Sequence, residues 1–337
     1  MKLYTREDLS IQENSLTYND IGLVPTHLSF IQSRKEVSTE TTFLGRKISL
    51  PVISSPMDTV SGEQMCNFLH SKDCMGIPAR LNNKDGFNKL QKILTINAKF
   101  DKFEQLYELG DEVEIVCVDT ANAGNSYLHC WIREFRKMFP NIKIIMGNTV
   151  SPRTLKLLDD IGINAVRVGI GSGSMCSTSI QTGIGIGQVS AISECVKFKK
   201  RNGLKIQIIA DGGIRTTGDI CKAMALGADV VMVGRMFAGT EESPGEVIKH
   251  NEKKYKVYRG SASYAVKIDK KFIEGEETLV EYKGSVEKIL WEIKDGLRSC
   301  MSYLGVDSIE ELQNEEVLFS ILSINSYLER LPYFENK

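Results

Sequence analysis

The chain has 337 residues, 42% hydrophobic and 25% charged, with a formal net charge of −1 at pH 7. This is the composition of a globular protein with a sizeable core, and without a basic block it gives no support to a nucleic-acid or membrane-surface partner. No segment is apolar for long enough to span a bilayer as a helix, and the first twenty residues lack the apolar stretch of a signal peptide. The eight cysteines are scattered without CxxC spacing, so neither a zinc site nor a disulfide framework is indicated, and a cytoplasmic location is expected.

Along the chain, short apolar runs recur between stretches patterned for helices. Strands are expected at 51–55 (PVISS), 74–78 (CMGIP), 114–119 (EIVCVD), 143–147 (KIIMG), 165–169 (AVRVG), 206–211 (IQIIAD), 230–234 (VVMVG) and 255–260 (YKVYRG). Between them, SPRTLKLLDDIG (151–162) opens with Ser-Pro and ends in Gly, and GDICKAMALG (218–227) also ends in Gly. These are start and stop signals of helices. Runs that are apolar on both faces and alternate with helices indicate parallel strands. Eight such units predict a single (β/α)8 TIM barrel over residues 1–337, with its active site at the C-terminal ends of the strands. An open doubly wound sheet is the alternative that periodicity leaves standing.

The polar and glycine-rich stretches fall at those strand ends: SPMDTVSG (55–62), DTANAGNS (119–126), GNTV (147–150), ADGGIRTTGD (210–219), GRMFAGTEESPGE (234–246) and YRGSAS (258–263). The loop at 169–185, GIGSGSMCSTSIQTGIG, holds five glycines, six serines or threonines and one thiol, Cys176. A buried structural cysteine behaves as a small hydrophobe, whereas this one is displayed among polar residues. Glycines let the backbone approach a ligand closely and point several N–H groups one way. Ser174 can then hold a phosphate oxygen and Cys176 can act as a nucleophile, with Thr178 two residues on. Alone, the loop is equally well a flexible turn with an incidental cysteine. The company of the other polar strand-end loops tips the reading to function.

In ADGGIR, Asp211 stands at a strand end, where a carboxylate can accept both hydroxyls of a ribose. Gly213 and Gly234 offer backbone donors for a phosphate, and Arg235 adds charge. Alone, the Gly212–Gly213 pair reads as a tight turn. Asp119 and Asn122, at the end of what this count makes the third strand, suit a second polar ligand as well as they suit capping of the next helix. Asp58 and Thr59 share that ambiguity, and Met57 is expected in the core. None of the four histidines falls in a polar strand-end loop, which counts against a Cys-His hydrolase and a histidine-ligated metal.

These loops, in this order, resemble the IMP dehydrogenase/GMP reductase family. The resemblance runs from YNDIGLVP (18–25) to GLRSCMSYLG (296–305) and is carried by SSPMDTV, VGIGSGSMCST, ADGGIR, AGTEESPGE, YRG and EYKGSV. It implies a (β/α)8 barrel, usually a homotetramer, with a purine nucleoside 5′-monophosphate lying across the strand ends. Ser174, Gly213, Gly234 and Tyr258 match the positions that hold its phosphate, with Arg235 and Gly260 on the same substrate side. Asp211 matches the ribose-binding aspartate, and Cys176 the nucleophile that attacks C2 of the purine. Asp119 matches a residue near the nicotinamide ribose, with Asn122 beside it. The carbonyls of Gly169, Gly171 and Cys176 match a monovalent-cation site, usually potassium (K+).

Two reactions share this thiolate chemistry, in which a covalent adduct splits one hard step into two. A dehydrogenase passes hydride from the IMP adduct to NAD and then hydrolyses it, using a mobile flap that carries an Arg-Tyr pair. A reductase expels ammonia from the GMP adduct and accepts hydride from NADPH. Here only YAVKIDKKFI (264–273) separates Ser263 from Glu274, with no arginine and one tyrosine, Tyr264. Ten extended residues span about 35 Å, too short for a loop that must also return and swing. The reductase uses a Thr-Glu pair to move the proton. Thr178 matches that threonine, and Glu274 matches the glutamate by its spacing to Lys283–Gly284, with Glu276 and Glu277 close enough for the register to slip.

TGIG (182–185) and DTANAG also resemble the reductase, while SSPMDTV, ADGGIR, AGTEESPGE and YRG read more like the dehydrogenase. Arg235 replaces a usual small residue. IPARLNNKDGFNKLQKI (77–93) runs straight on, leaving no room for a paired-CBS regulatory insertion. The expectation is a GMP reductase using NADPH, with Cys176, Thr178 and Glu274 catalytic. The alternatives are an IMP dehydrogenase that uses NAD and a different water-activating group, a related enzyme acting on a modified purine monophosphate, and a non-catalytic nucleotide sensor. The intact Cys176, Thr178 and Glu274 count against the sensor.

Overall fold

Eight parallel strands curl into one sheet in the computed structural model, which describes residues 2–25, 28–80, 85–98, 102–260, 276–314 and 316–328. They are β1 (Val52–Ser54), β2 (Met75–Gly76), β3 (Ile93–Ile96), β4 (Ile115–Asp119), β5 (Lys143–Thr149), β6 (Ala165–Val168), β7 (Gln207–Asp211) and β8 (Val230–Val233). The hydrogen-bonded order is β2-β1-β8-β7-β6-β5-β4-β3, with the short antiparallel strand Gly86–Asn88 outside β3. That is chain order wrapped around on itself, the winding of a (β/α)8 TIM barrel. No ladder joins β2 to β3 among the described residues. Gln91 bridges this seam, its side-chain oxygen accepting the Gly76 N–H at 3.2 Å while its amide donates to the Cys66 carbonyl at 2.6 Å.

The alternation of side chains along each strand builds the barrel interior. Ile53, Met75, Ile93, Ile115, Cys117, Ile145, Ala165, Ile209, Val230 and Met232 form one cluster, together with Phe43, Leu44 and Ile48. Those last three come from a hairpin of strands Thr41–Phe43 and Arg46–Ile48, which plugs the end where the strands begin: the Leu44 N–H donates to the Gln207 side chain at the start of β7. The alternate residues, such as Val116, Ile144, Val166, Ile208 and Val231, pack outward against the helices in a second, larger cluster. Burying each such side chain stabilises the fold by about 1.5–3 kcal/mol.

The helices are α1 (Glu63–Ser71) after β1, α2 (Lys102–Leu109) after β3, α3 (Ser126–Met138) after β4 and α4 (Pro152–Ile161) after β5. Then α5 (Thr178–Thr182) and α6 (Gln188–Asn202) follow β6, α7 (Thr217–Ala225) follows β7 and α8 (Val286–Leu304) follows β8. The expected helix at 151–162 forms as its ends dictate: Ser151 accepts from the Thr154 N–H, Pro152 opens the first turn, and Gly162 closes it at φ +87°. In α7, Thr216 and Asp219 cap each other reciprocally. No helix among the described residues is long and apolar enough to cross a membrane.

One strand assignment is corrected. The run at 255–260 is not a barrel strand. It belongs to β10 (Lys253–Arg259), the centre of an antiparallel sheet between β9 (Ile248–His250) and β11 (Glu277–Glu281). Lys256 and Tyr258 are its buried side chains, and its pairing on both sides is antiparallel. The missing barrel strand is β3, whose four residues ILTI were too short a run to stand out between lysine-bearing turns. Asp119 therefore ends the fourth strand rather than the third. Asp211 ends the seventh, and Gly234 follows the eighth.

Candidate active site

The period-two rule continues past the apolar layers of the barrel. Two residues beyond Cys117 stands Asp119, two beyond Ala165 stands Arg167, and two beyond Ile209 stands Asp211. All three face inward at the C-terminal ends of β4, β6 and β7. The Arg167 side chain, 9% exposed, donates from Nη1 to Asp119 Oδ1 at 2.7 Å and from Nε to Asp211 Oδ2 at 2.9 Å. Between β4 and β6 runs β5, where Gly147 pairs with both Asp119 and Arg167. A Cβ on Gly147 would lie 2.4 Å from the Arg167 Cβ, so the missing side chain is what lets the arginine cross.

Both ends of this chain of charges are anchored. Arg80 donates to Asp119 Oδ2 at 3.1 Å. The Asn148 amide donates to Asp211 Oδ2 and to the Gly169 carbonyl, each at 2.8 Å. Burial alone would raise the Asp119 carboxyl, but the Arg167 and Arg80 guanidinium groups outweigh it and hold its pKa below the usual carboxylate value. Burial disfavours the charge on Arg167, yet Asp211 and Asp119 more than compensate and raise its pKa. The Cys117 thiol beneath it is pushed up to about 12 by desolvation and stays neutral.

The loop after β6 folds back over this layer. Cys176 is half-buried, and its thiol donates to Thr178 Oγ1 at 3.1 Å. Ser174 Oγ lies 3.2 Å from Tyr258 Oη. Gly234 stands against the same phenol, since a Cβ there would be 3.2 Å from Tyr258 Oη and 3.2 Å from Met57 Sδ. The loops after β6 and β7 interlock: a Cβ on Gly169 would sit 2.0 Å from the Asp211 carbonyl oxygen, and one on Gly212, at φ +114°, 2.4 Å from Ser172 Oγ. Gly213, at φ +76°, occupies the left-handed region that favours glycine and faces the Tyr18 ring.

The structure thus brings Ser174, Tyr258 and Gly234 together, and separately Cys176 with Thr178 and Asp119 with Asp211. Arg235 is exposed at the mouth. Its charge partly offsets the burial that raises the Tyr258 hydroxyl pKa. The Gly260 N–H donates to the Glu276 carbonyl at 2.9 Å, and the Glu276 N–H to the Met175 carbonyl at 3.1 Å. The end of the YRG segment is therefore stitched to the residue preceding Cys176. Glu277 is engaged with Arg259 at 3.3 Å. Glu274 and the 264–273 segment lie outside the described residues, as do Ser261 and Ala262. Asp119 does not cap the next helix; Asn125 does, accepting from the Tyr127 N–H. Asn122 accepts from the Gly124 N–H at 2.9 Å, closing an exposed local turn.

Asp58 and Thr59 reach β10. Asp58 Oδ2 lies 3.0 Å from Arg259 Nε, and Thr59 Oγ1 accepts the Arg259 N–H at 3.1 Å. Burial raises the Asp58 carboxyl, with Arg259 opposing and Glu277 assisting. Met57 is partly buried against the core. Lys283 was not singled out as a site residue, yet its Nζ donates to the Arg235 and Met236 carbonyls at 2.8 and 3.2 Å. Desolvation, with Arg235 adding, brings its pKa down to about 8. Arg167, Arg80 and Asn148 were also missed. For Arg167 the signal was present: a lone charge at an inward position of an otherwise apolar strand.

The residues can be tested against the groups the resemblance implies. Gly169, Gly171 and Cys176 lie on one loop, and the Gly169 carbonyl keeps a second lone pair beyond the one Asn148 uses. Both Asp119 oxygens carry an arginine but retain acceptor capacity for a ribose hydroxyl. Both sets fit.

A parallel barrel with a displayed cysteine and two inward carboxylates at the C-terminal ends of its strands has the layout of an α/β-barrel enzyme. Residues 15–332 match the sequence model described as the IMP dehydrogenase / GMP reductase domain. A GMP reductase of Bacillus cereus is 35% identical over 314 residues, covering 89% of this chain and 94% of the relative. One of Staphylococcus epidermidis is 35% identical over 309 residues, covering 88% and 93%. One of Bacillus thuringiensis is 34% identical over 316 residues, covering 90% and 94%. The chain belongs to the IMP dehydrogenase/GMP reductase family and is an oxidoreductase.

Proposed function

We propose that the protein is a GMP reductase, converting GMP to IMP and ammonia with NADPH through a covalent bond between Cys176 and purine C2. The observation that carries the reading is the Cys176 thiol in hydrogen-bond contact with Thr178 on the glycine-rich strand-end loop. Ser174, Tyr258, Gly213 and Gly234 hold the 5′-phosphate, with Arg235 contributing charge at the rim and Gly260 lying on the base side. Asp211 accepts the ribose hydroxyls. The Cys176 sulfur adds to C2, and the C2 amino group leaves as ammonia, taking a proton passed through Thr178 and Glu274. When bound, NADPH supplies hydride to C2. The carbon–sulfur bond then breaks, returning the thiolate and releasing IMP. Asp119 and Asn122 hold the nicotinamide-ribose end of the dinucleotide. A potassium ion on the Gly169, Gly171 and Cys176 carbonyls would brace the loop by its charge.

The family resemblance supports assembly as a homotetramer, the uninterrupted run at 77–93 supports a single barrel without a CBS insertion, and the scattered cysteines support a cytoplasmic location. An absorbance assay of the reduced nicotinamide tests the central claim. With GMP and NADPH the purified protein should consume the absorbance. Activity only with IMP and NAD would make it a dehydrogenase, and binding without turnover in either mixture would make it a sensor.

A further inference from the structure

The buried arginine of β6 touches both inward carboxylates through one rigid group. Its Nε and Nη1 belong to the same planar fork, so the 2.9 Å contact to Asp211 and the 2.7 Å contact to Asp119 cannot adjust independently. Arg80 fixes the far side of Asp119, and Asn148 ties Asp211 to the Gly169 carbonyl at the head of the cysteine loop. The run Arg80, Asp119, Arg167, Asp211, Asn148 is thus a chain of alternating partners from the fourth strand end to the seventh. Removing one partner from a buried pair leaves an uncompensated charge, and the rest of the chain must rearrange.

We infer that Arg167 is a positioning residue that joins the two carboxylates into one unit, so that occupancy of either ligand's ribose site tightens the other. This rests on the reading above, in which Asp211 serves the nucleotide and Asp119 the dinucleotide. A ribose that orders Asp211 orders the guanidinium, and the guanidinium orders Asp119. Linkage requires the effect to be equal in both directions.

The test is a set of crossed affinities, measured by calorimetry with GMP and with NADP, the oxidised dinucleotide that has no hydride to give. In the wild-type protein each ligand should bind more tightly in the presence of the other. Asp119→Asn should weaken GMP binding by about fivefold or more, although Asp119 serves only the dinucleotide, and Asp211→Asn should do the same to NADP. Arg167→Lys keeps the charge but cannot span both carboxylates with a fixed fork. It should bring the mutual enhancement close to onefold while both ligands still bind.

A merely structural arginine would lower the melting temperature and leave the crossed affinities unmoved. If Arg167→Lys does not fold, the two Asp→Asn variants decide alone. Wild-type protein that binds both ligands without crossed effects overturns the inference and leaves the functional reading intact. Wild-type protein that binds neither overturns both.

Discussion

Ser174 and Tyr258 are 84 residues apart in the chain, yet their hydroxyls lie 3.2 Å from each other. One comes from the loop after β6, the other from the centre of the small antiparallel sheet. Two hydroxyls at this spacing form a cradle that can donate to neighbouring oxygens of one phosphate. Tyr258→Phe removes one donor from it. KM for GMP should rise about tenfold, on the order of 1.5 kcal/mol for a hydrogen bond to a charged group. The turnover number should hardly change, because the phosphate takes no part in the bond changes. Steady-state kinetics on the purified variant checks this.

Cys176→Ala deletes the sulfur that bonds to C2. Turnover should vanish, while GMP still binds through the phosphate cradle and Asp211. Retained turnover would remove the covalent mechanism.

Glu274→Gln should slow release of ammonia far more than transfer of hydride, as separated by single-turnover measurements. Equal slowing of both steps would give Glu274 a structural role only.

Gly147→Ala places a methyl group 2.4 Å from the Arg167 Cβ. The same methyl meets the Arg167 carbonyl oxygen and Cα at 3.1 and 3.2 Å, so the backbones of β5 and β6 must part and carry the arginine with them. The variant should lose about 1–3 kcal/mol of stability, seen as a lower midpoint in urea. It should also weaken both ligands together, since Arg167 is displaced from both carboxylates.

Lys283 supplies a pH dependence whose sign follows from its surroundings. Its pKa falls from 10.5 to about 8 in the folded protein, through desolvation with Arg235 adding. Between those two values the unfolded chain binds the proton that the folded one has lost, so stability rises with pH across that window. Melting temperatures should show this contribution appearing as pH climbs from about 8 toward 10.5. Lys283→Met should flatten it relative to the wild type.

Much of the architecture could be read from the residues. The strand ending in Asp211 is legible because IQIIAD is apolar apart from Gln207 until its last residue, and SPRTLKLLDDIG carries both helix boundaries. Strand β3 is not legible, because ILTI is too short for period or length to separate it from a buried helix turn. The run at 255–260 completes a count of eight strands in the sequence, and only its pairing with Ile248–His250 and Glu277–Glu281 places it in the antiparallel sheet. Glu274 falls among residues 261–275, outside the described residues, and its assignment rests on its spacing to Lys283–Gly284 and on the family resemblance.

By itself the sequence determined the alternating α/β class, the strand ends at which the polar residues gather, and the display of Cys176 among them. Each of these depends on local pattern: apolar runs, glycine-rich strand ends, and a cysteine set among hydroxyls. Only the tertiary structure decided which of those groups meet. Arg167 finds Asp119 and Asp211 at sequence separations of 48 and 44 residues, and no periodicity within one strand encodes that. Curling the sheet turns the last inward residue of several strands into a single layer, where a guanidinium can bridge two carboxylates. Sequence order does not decide which of them lie within reach; strand register and the empty position at Gly147 do.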